Sequence, residues 1–263
     1  HDVFFLPSVS ETEVSLYEHC ARGLDIRLST GTHGLPLIGG GDWNDGMNRV
    51  GEEGKGESVW LGWFMCKVLK DFERVALQQG DTARVERWGA YRKHLVESLD
   101  QNAWDGRWYR RAYFDDGSPL GSVDNAECRI DAIAQSWSVL SGAAATDKSV
   151  MALAMAYEEL VKPSEGLALL FTPPFESSTR DPGYIKAYTP GVRENGGQYR
   201  HGAIWSIFAH AALGQASEAA QLFSMINPIN HALTAQAVET YRLEPYVIAA
   251  DVYSIAPHCG RGG

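Results

Sequence analysis

"GGGDWNDGMNRVGEEGKGESVW", residues 39–60, sets Asp42 and Asp45 on either side of Trp43-Asn44 in a glycine-rich loop. An apolar segment follows at once. Residues 57–80 are apolar nearly all round in their first half, which predicts a buried helix with Gly80 as its stop. The loop departs from three familiar ligand patterns. Asp42, Asn44 and Glu53 suit the first, third and twelfth positions of an EF-hand, but Gly46 and Met47 stand at the fifth and sixth. Lys55 is followed by Gly56 rather than the Ser or Thr of a phosphate-binding loop. Helical patterns surround the stretch, where a dinucleotide fingerprint needs a βαβ unit. Two readings of the carboxylates remain. They could cap backbone amides, or one could be a proton donor whose pKa the apolar face of Trp43 raises.

Outward from this loop the chain reads as mainly helical. Helical patterns cover 10–25, 57–80, 81–104, 126–144, 147–163, 200–215, 216–228 and 234–253. Ser10 and Glu13 have the spacing of a capping box for the first of these, and Pro163 and Pro228 follow helices they could not continue. Residues 104–121 predict a hairpin turning at Asp116-Gly117, and 167–175 a short buried strand or extended segment. The loops at 28–56 and 172–200 are longer than connections require, which favours function. Paired helices with elaborate loops at matching ends suit an α/α toroid, in which loops 39–56 and 188–201 should converge.

Composition narrows the function. A net charge of −10 argues against a protein that tracks a nucleic-acid backbone. Cys20, Cys66, Cys128 and Cys259 form no CxxC pair, so buried reduced thiols are expected rather than a disulfide framework or zinc site. There is no compact metal-binding pattern, no nucleophile elbow, no apolar run of membrane-span length and no signal-peptide pattern. The chain begins without Met and stops in a glycine-rich turn, and it reads as a piece of a longer protein. A second constellation lies at "YTPGVRENGGQYRH", Tyr188 to His201, where Arg193, Glu194, Asn195, Gln198 and His201 crowd between glycines. Two such loops in one helical chain, with a rich aromatic set, point to carboxylate chemistry on a polyol, that is, to glycoside cleavage.

Several stretches together carry a family resemblance. "GGGDWNDGMNRVGEEGKGESVWLGWF", "PGVRENGGQYRHGAIW", "CRIDAIAQSW" (128–137), "NPINHA" (227–232) and "EPYVIAADVYS" (244–254) resemble glycoside hydrolase family 94, the inverting β-glucoside phosphorylases. The likeness is strongest to the phosphorylase-like domains of cyclic β-1,2-glucan synthases. It runs over essentially the whole chain.

The resemblance implies part of an (α/α)6 barrel, with 1–263 as one partial domain that lacks both barrel ends and an upstream β-sandwich. It implies Asp45 as general acid, Trp43 and Glu194 as contacts of the transferred glycosyl unit with Arg193 beside them, and His201 as a phosphate contact. Asp42 and Gln198 would stand behind these groups. The implied partners are a β-glucan oligosaccharide, inorganic phosphate as co-substrate with no resident cofactor, and the rest of the parent chain. The parent would lie on the cytoplasmic side of an inner membrane that this soluble piece does not itself touch. One acid suffices because phosphate is already an anionic nucleophile, whereas an inverting hydrolase needs a second carboxylate to activate water. Family arginines near sugar and phosphate would precede His1, and a Thr/Gly/Ser segment would follow Gly263, so the phosphate site of the isolated piece is expected to be incomplete. Two alternatives stand beside this reading: an inverting hydrolase with Glu194 as base, and a carbohydrate-binding remnant without catalysis.

Overall fold

The computed structural model describes residues 11–263, which are mainly helical. The helices are α1 (Leu16–Ile26), α2 (Val59–Gln78), α3 (Thr82–Ser98), α4 (Ala132–Leu140), α5 (Thr146–Leu160), α6 (Arg200–Ala212), α7 (Ala216–Ile226) and α8 (Ala235–Tyr241). Very short strands join them. The strand β1 (Glu57–Ser58) pairs antiparallel with β2 (Ala112–Tyr113), which pairs with β3 (Pro119–Leu120). The other strands form two-stranded antiparallel ladders. β4 (Ile130–Asp131) pairs with β7 (Phe171–Thr172), and β5 (Val161–Lys162) with β6 (Leu167–Ala168). β8 (Gln198–Tyr199) pairs with β9 (Asp251–Val252).

One unit recurs three times: a two-residue strand, a central helix, a short connection and an outer helix. The units are β1-α2-α3, β4-α4-α5 and β8-α6-α7. The central helices α2, α4 and α6 pack in a row, and α3, α5 and α7 back them in turn. The composition of α2 explains its place: Val59, Trp60, Trp63, Met65, Cys66 and Leu69 are all buried, so it needs neighbours on several sides. Each central helix starts at the same kind of place, just after a long loop and its strand. The segments that lead into the three central helices therefore gather at one end of the row. There Trp60 and Phe64 of α2, Trp137 of α4 and Trp205 of α6 form one aromatic cluster, with centroids 5.2–6.0 Å apart. Such rings bury large areas and favour offset or edge-on contacts.

Several expectations shift at their edges. The hairpin is present, with Phe114 and Ser118 closing the turn, and it gains β1 as a third strand. The 167–175 segment is two strands, β6 and β7, in different ladders. The segment 126–144 becomes helical only at Ala132, because Ile130–Asp131 are drawn into a ladder and Asp131 then caps the helix. The expected helix over 234–253 ends at Tyr241: Arg242 takes a left-handed conformation, and Pro245 follows. Residues beyond it supply β9. Ser10 of the expected capping box lies outside the described residues. Residues 11–15 are not helical, and the cap is Ser15, whose Oγ accepts from Glu18 N at 3.1 Å. Among the described residues no helix is long and apolar enough to cross a membrane.

Charge holds α1 against α3. Arg84 donates to Glu18, Asp25 and Asp81 at 2.5, 3.0 and 3.0 Å, and Trp88 Nε1 donates to Asp25 at 2.9 Å. Hydrogen bonds from Arg84, then from Arg22, hold the Glu18 carboxyl down at about 2. A carboxyl whose folded value lies below its unfolded one stabilises the contact above the unfolded value and loses that contribution as pH falls towards the folded one. Amide protection over 16–26 is therefore expected to drop as pH falls from about 4.5 to about 2, ahead of protection in α2. Protection lost together in both helices would show that α1 does not open separately.

Candidate active site

The loop after Ile38 is closed at its base by Ile38 N donating to Gly56 O at 2.9 Å. It is pinned from the hairpin by Asp115, whose carboxylate accepts from the amides of Glu53, Lys55 and Gly56 at 2.8–2.9 Å. Within this frame the two loop aspartates have opposite surroundings.

The Asp42 side chain is 0% exposed and faces inward. Arg111 grips it with both guanidinium ends, Nη1 to Oδ2 at 2.7 Å and Nη2 to Oδ1 at 2.6 Å. Ser58 Oγ adds a bond at 2.6 Å and Asn44 N one at 3.0 Å. Burial opposes charge on Asp42, but the Arg111 guanidinium and these hydrogen bonds outweigh it and keep the carboxyl below its usual range. On its other side Arg111 Nε lies 3.4 Å from Asp131 Oδ2. Burial pushes the Asp131 carboxyl up to about 6, against the pull of Arg111. One guanidinium thus serves two buried carboxylates, and the partner held by paired short bonds receives most of its charge.

Asp45 opens a single 3-10 turn, Asp45–Met47, and is exposed. Desolvation, and then the neighbouring Asp45 carboxylate, raise the pKa of the Tyr184 hydroxyl. Trp43 turns the other way. Its ring lies 5.5 Å from Tyr199, 5.4 Å from His201 and 5.3 Å from Trp205, and its Nε1 donates to His201 Nδ1 at 3.0 Å. Indole N–H is only a donor, so His201 is held neutral with its proton on Nε2, and partial burial lowers its pKa in the same sense. Burial raises the carboxyls of Asp131 and Asp251, neither of which lies in this loop. Trp43 spends its apolar face on the second loop.

That second loop is a folded turn. Asn195, fully buried, accepts from Phe175 N at 2.7 Å and donates to Phe175 O and Tyr188 O at 2.9 and 2.8 Å. Arg193 adopts φ +52°. This costs a non-glycine residue of order 1 kcal/mol, and its amide donates to the buried Asp251 carboxylate at 2.7 Å. Its guanidinium lies over the Tyr188 ring at 4.7 Å, and its Nε is 3.6 Å from Glu194 Oε2. Burial, and then the charge of nearby Glu194, raise the pKa of the Tyr199 hydroxyl.

The structure thus brings Trp43 and His201 into contact across 158 residues of sequence. Asp45 lies at the same end, on a turn packed against Tyr184–Ala187, and Tyr184 meets Tyr188 edge-on beneath Arg193. Asp42 and Gln198 lie behind this surface. Gln198 Oε1 accepts from Ala168 N at 2.8 Å, tying β8 to β6. Asn195 also belongs to the scaffold, because its amide is used up on backbone. Sequence reasoning did not single out Arg111, Asp251, Tyr184 or Trp205. Partners mostly distant in sequence set them apart from ordinary hairpin, helix, strand and loop residues.

Residues 5–263 match the family model described as glycosyl hydrolase 94 superfamily, catalytic domain. The chain is 53% identical to the cyclic beta-(1,2)-glucan synthase NdvB of Rhizobium meliloti (strain 1021), over 100% of this chain and 9% of that protein. It is 33% identical to the 3-O-beta-D-glucopyranosyl-beta-D-glucuronide phosphorylase of Paenibacillus borealis, over 84% of this chain and 28% of the relative. It is 32% identical to the solabiose phosphorylase of the same organism, over 85% and 29% respectively. The chain therefore spans less than a third of the length of each of these relatives.

Proposed function

The chain belongs to the glycosyl hydrolase 94 superfamily, and from that membership and the site geometry we propose that it forms part of a phosphorylase domain acting on β-glucans, of the β-1,2 type. Asp45 protonates the glycosidic oxygen while phosphate attacks the opposite face of the sugar, so that a β-linkage yields α-glucose 1-phosphate. Trp43 and Glu194 hold the transferred glycosyl unit, with Arg193 beside them. His201 offers its Nε2–H to phosphate, a neutral donor whose orientation Trp43 sets. Asp42 and Gln198 fix the two loops from behind. The reaction needs inorganic phosphate as co-substrate and no resident cofactor. In this reading the row α2-α4-α6 is one side of an (α/α)6 barrel that the rest of a longer parent chain completes, and spans elsewhere in that parent hold it on the cytoplasmic side of an inner membrane.

The observation that carries the proposal is the Trp43–His201 hydrogen bond. It joins the loop that bears the acid to the loop that bears the sugar and phosphate contacts, at the end where Asp45 is exposed. Exposed Phe208, Phe223, Ile229, Tyr246 and Ile248 supply the apolar face that further helices would cover.

The test is phosphate dependence. The full-length protein, given a β-1,2-glucan and phosphate, is expected to release α-glucose 1-phosphate, and the isolated 263-residue chain is expected to release none. Free glucose formed without phosphate would replace this reading with an inverting hydrolase that uses Glu194 as base. Binding of the glucan without any product would leave a carbohydrate-binding module.

A further inference from the structure

The turn that carries Arg193 and Glu194 is held from behind by the segment 251–254, at Gly191, Arg193 and Gly196. Ser254 N donates to Gly191 O at 2.8 Å, and Ser254 Oγ donates to Gly196 O at 3.0 Å. Asp251 Oδ2 accepts from Arg193 N at 2.7 Å. The segment is itself fixed through its backbone. Asp251 is the register partner of Tyr199 in the β8–β9 ladder, and its carbonyl accepts from Gly263 N at 3.0 Å. The grips differ in what they hold. Gly191 and Gly196 have φ +84° and +80°, which glycine adopts without steric cost. Arg193 has φ +52°, where its own Cβ opposes the conformation. The turn is also tight, since a Cβ on Gly197 would lie 2.8 Å from Arg193 O. Asp251, 3% exposed, therefore supplies a buried acceptor at the point of the turn that is least favourable by itself.

We infer that Asp251 is a positioning residue for the sugar contacts: its side-chain oxygen holds Arg193 in the left-handed conformation, and that conformation sets the directions of the Arg193 and Glu194 side chains. This rests on the reading of Glu194 and Arg193 as contacts of the transferred glycosyl unit. In extended backbone successive side chains point to opposite sides. A left-handed residue ends that alternation, and here Arg193 Nε comes within 3.6 Å of Glu194 Oε2 while the guanidinium lies over the Tyr188 ring. Without the acceptor, Arg193 relaxes towards the backbone conformations that a residue with a Cβ prefers, and Glu194 turns with it. The buried amide of the turn would also lose its partner, which a buried donor tolerates poorly.

Asp251→Ala in the full-length protein is the test. KM for the glucan is expected to rise about tenfold with kcat within about twofold, the pattern of a contact shared by bound substrate and transition state. A dinitrophenyl glycoside, whose leaving group departs unprotonated, should show the same rise, because proton supply is untouched. Asp251→Asn keeps an acceptor oxygen for Arg193 N and should return KM to within about twofold of the unsubstituted protein. Asp251→Glu keeps the charge but displaces it by one carbon; it should raise KM as Ala does, and it gives the reading if the Ala variant does not fold. Glycine takes positive φ freely, so in an Arg193→Gly background Asp251→Ala should raise KM by less than about threefold. An unchanged KM in both the Ala and Glu variants, a loss in Asp251→Asn as large as in Asp251→Ala, or an undiminished rise in the Arg193→Gly background would overturn the inference while leaving Glu194 as a sugar contact. If Glu194→Ala leaves KM unchanged, or the full-length protein turns over no donor, the sugar-contact reading fails and the inference with it.

Discussion

Asp45→Asn in the full-length protein is expected to lower the chemical step with a natural glucan by about 10²–10⁴-fold, the usual contribution of a positioned general acid. The substitution keeps shape and removes the proton, so binding of the sugar should change little. The loss should depend on the leaving group, and a dinitrophenyl donor should recover most of the rate. Asp42→Asn makes the useful contrast. Asp42 accepts four hydrogen bonds, two of them from Arg111, and has no proton to give at working pH. Any loss on its replacement comes from loop geometry and should be the same for both donors. Rescue by the activated donor in the Asp42 variant and not in the Asp45 variant would reverse the assignment.

The second large effect is on stability. Arg111→Met should destabilise the fold by about 3–5 kcal/mol, because it leaves the buried Asp42 and Asp131 without their shared counter-charge. Chemical denaturation would read this as a lowered midpoint with an unchanged slope. A change under about 1 kcal/mol would mean that water or another group already compensates the pair. Asp131→Asn should be far milder, since an amide oxygen can still accept from Ile133 N as the carboxylate does at 2.8 Å. The sign with pH supports the contrast. The Asp131 carboxyl stands at about 6 when folded, above its ordinary 3.8, so folding takes up a proton in that interval. Its contribution is therefore complete at low pH and is lost as pH rises from about 4 through about 6, and the asparagine variant should lack this slope.

Much of the architecture was legible in residue order. The apolar first half of 57–80 required a buried helix, and α2 is one. Asp116-Gly117 between aromatic arms required a hairpin turn, and Phe114 and Ser118 close it. The weak points were places where a ladder partner competes with local preference. Ile130–Asp131 and Asp251–Val252 sit in stretches with helical composition, yet each is taken as a strand by a segment far away, Phe171–Thr172 and Gln198–Tyr199. A two-residue strand has no periodicity of its own to read.

The candidate site divides along the same line. The sequence alone set out the chemistry available: two carboxylates flanking an indole in one loop, and a cation, a carboxylate and an imidazole in another. It could not say which carboxylate is spent on structure. Asp42 and Asp45 differ by three positions and have the same side chain. What separates them is Arg111, 69 residues from Asp42, and the turn Tyr184–Ala187 packed against Asp45–Met47, which lies beyond the hairpin and four helices. Helix caps, turns and amphipathic faces are fixed by covalent neighbours within about one turn, so a sequence displays them. The ionisation and direction of a carboxylate depend on charges and donors within a few ångströms in space, and only the folded chain decides which those are.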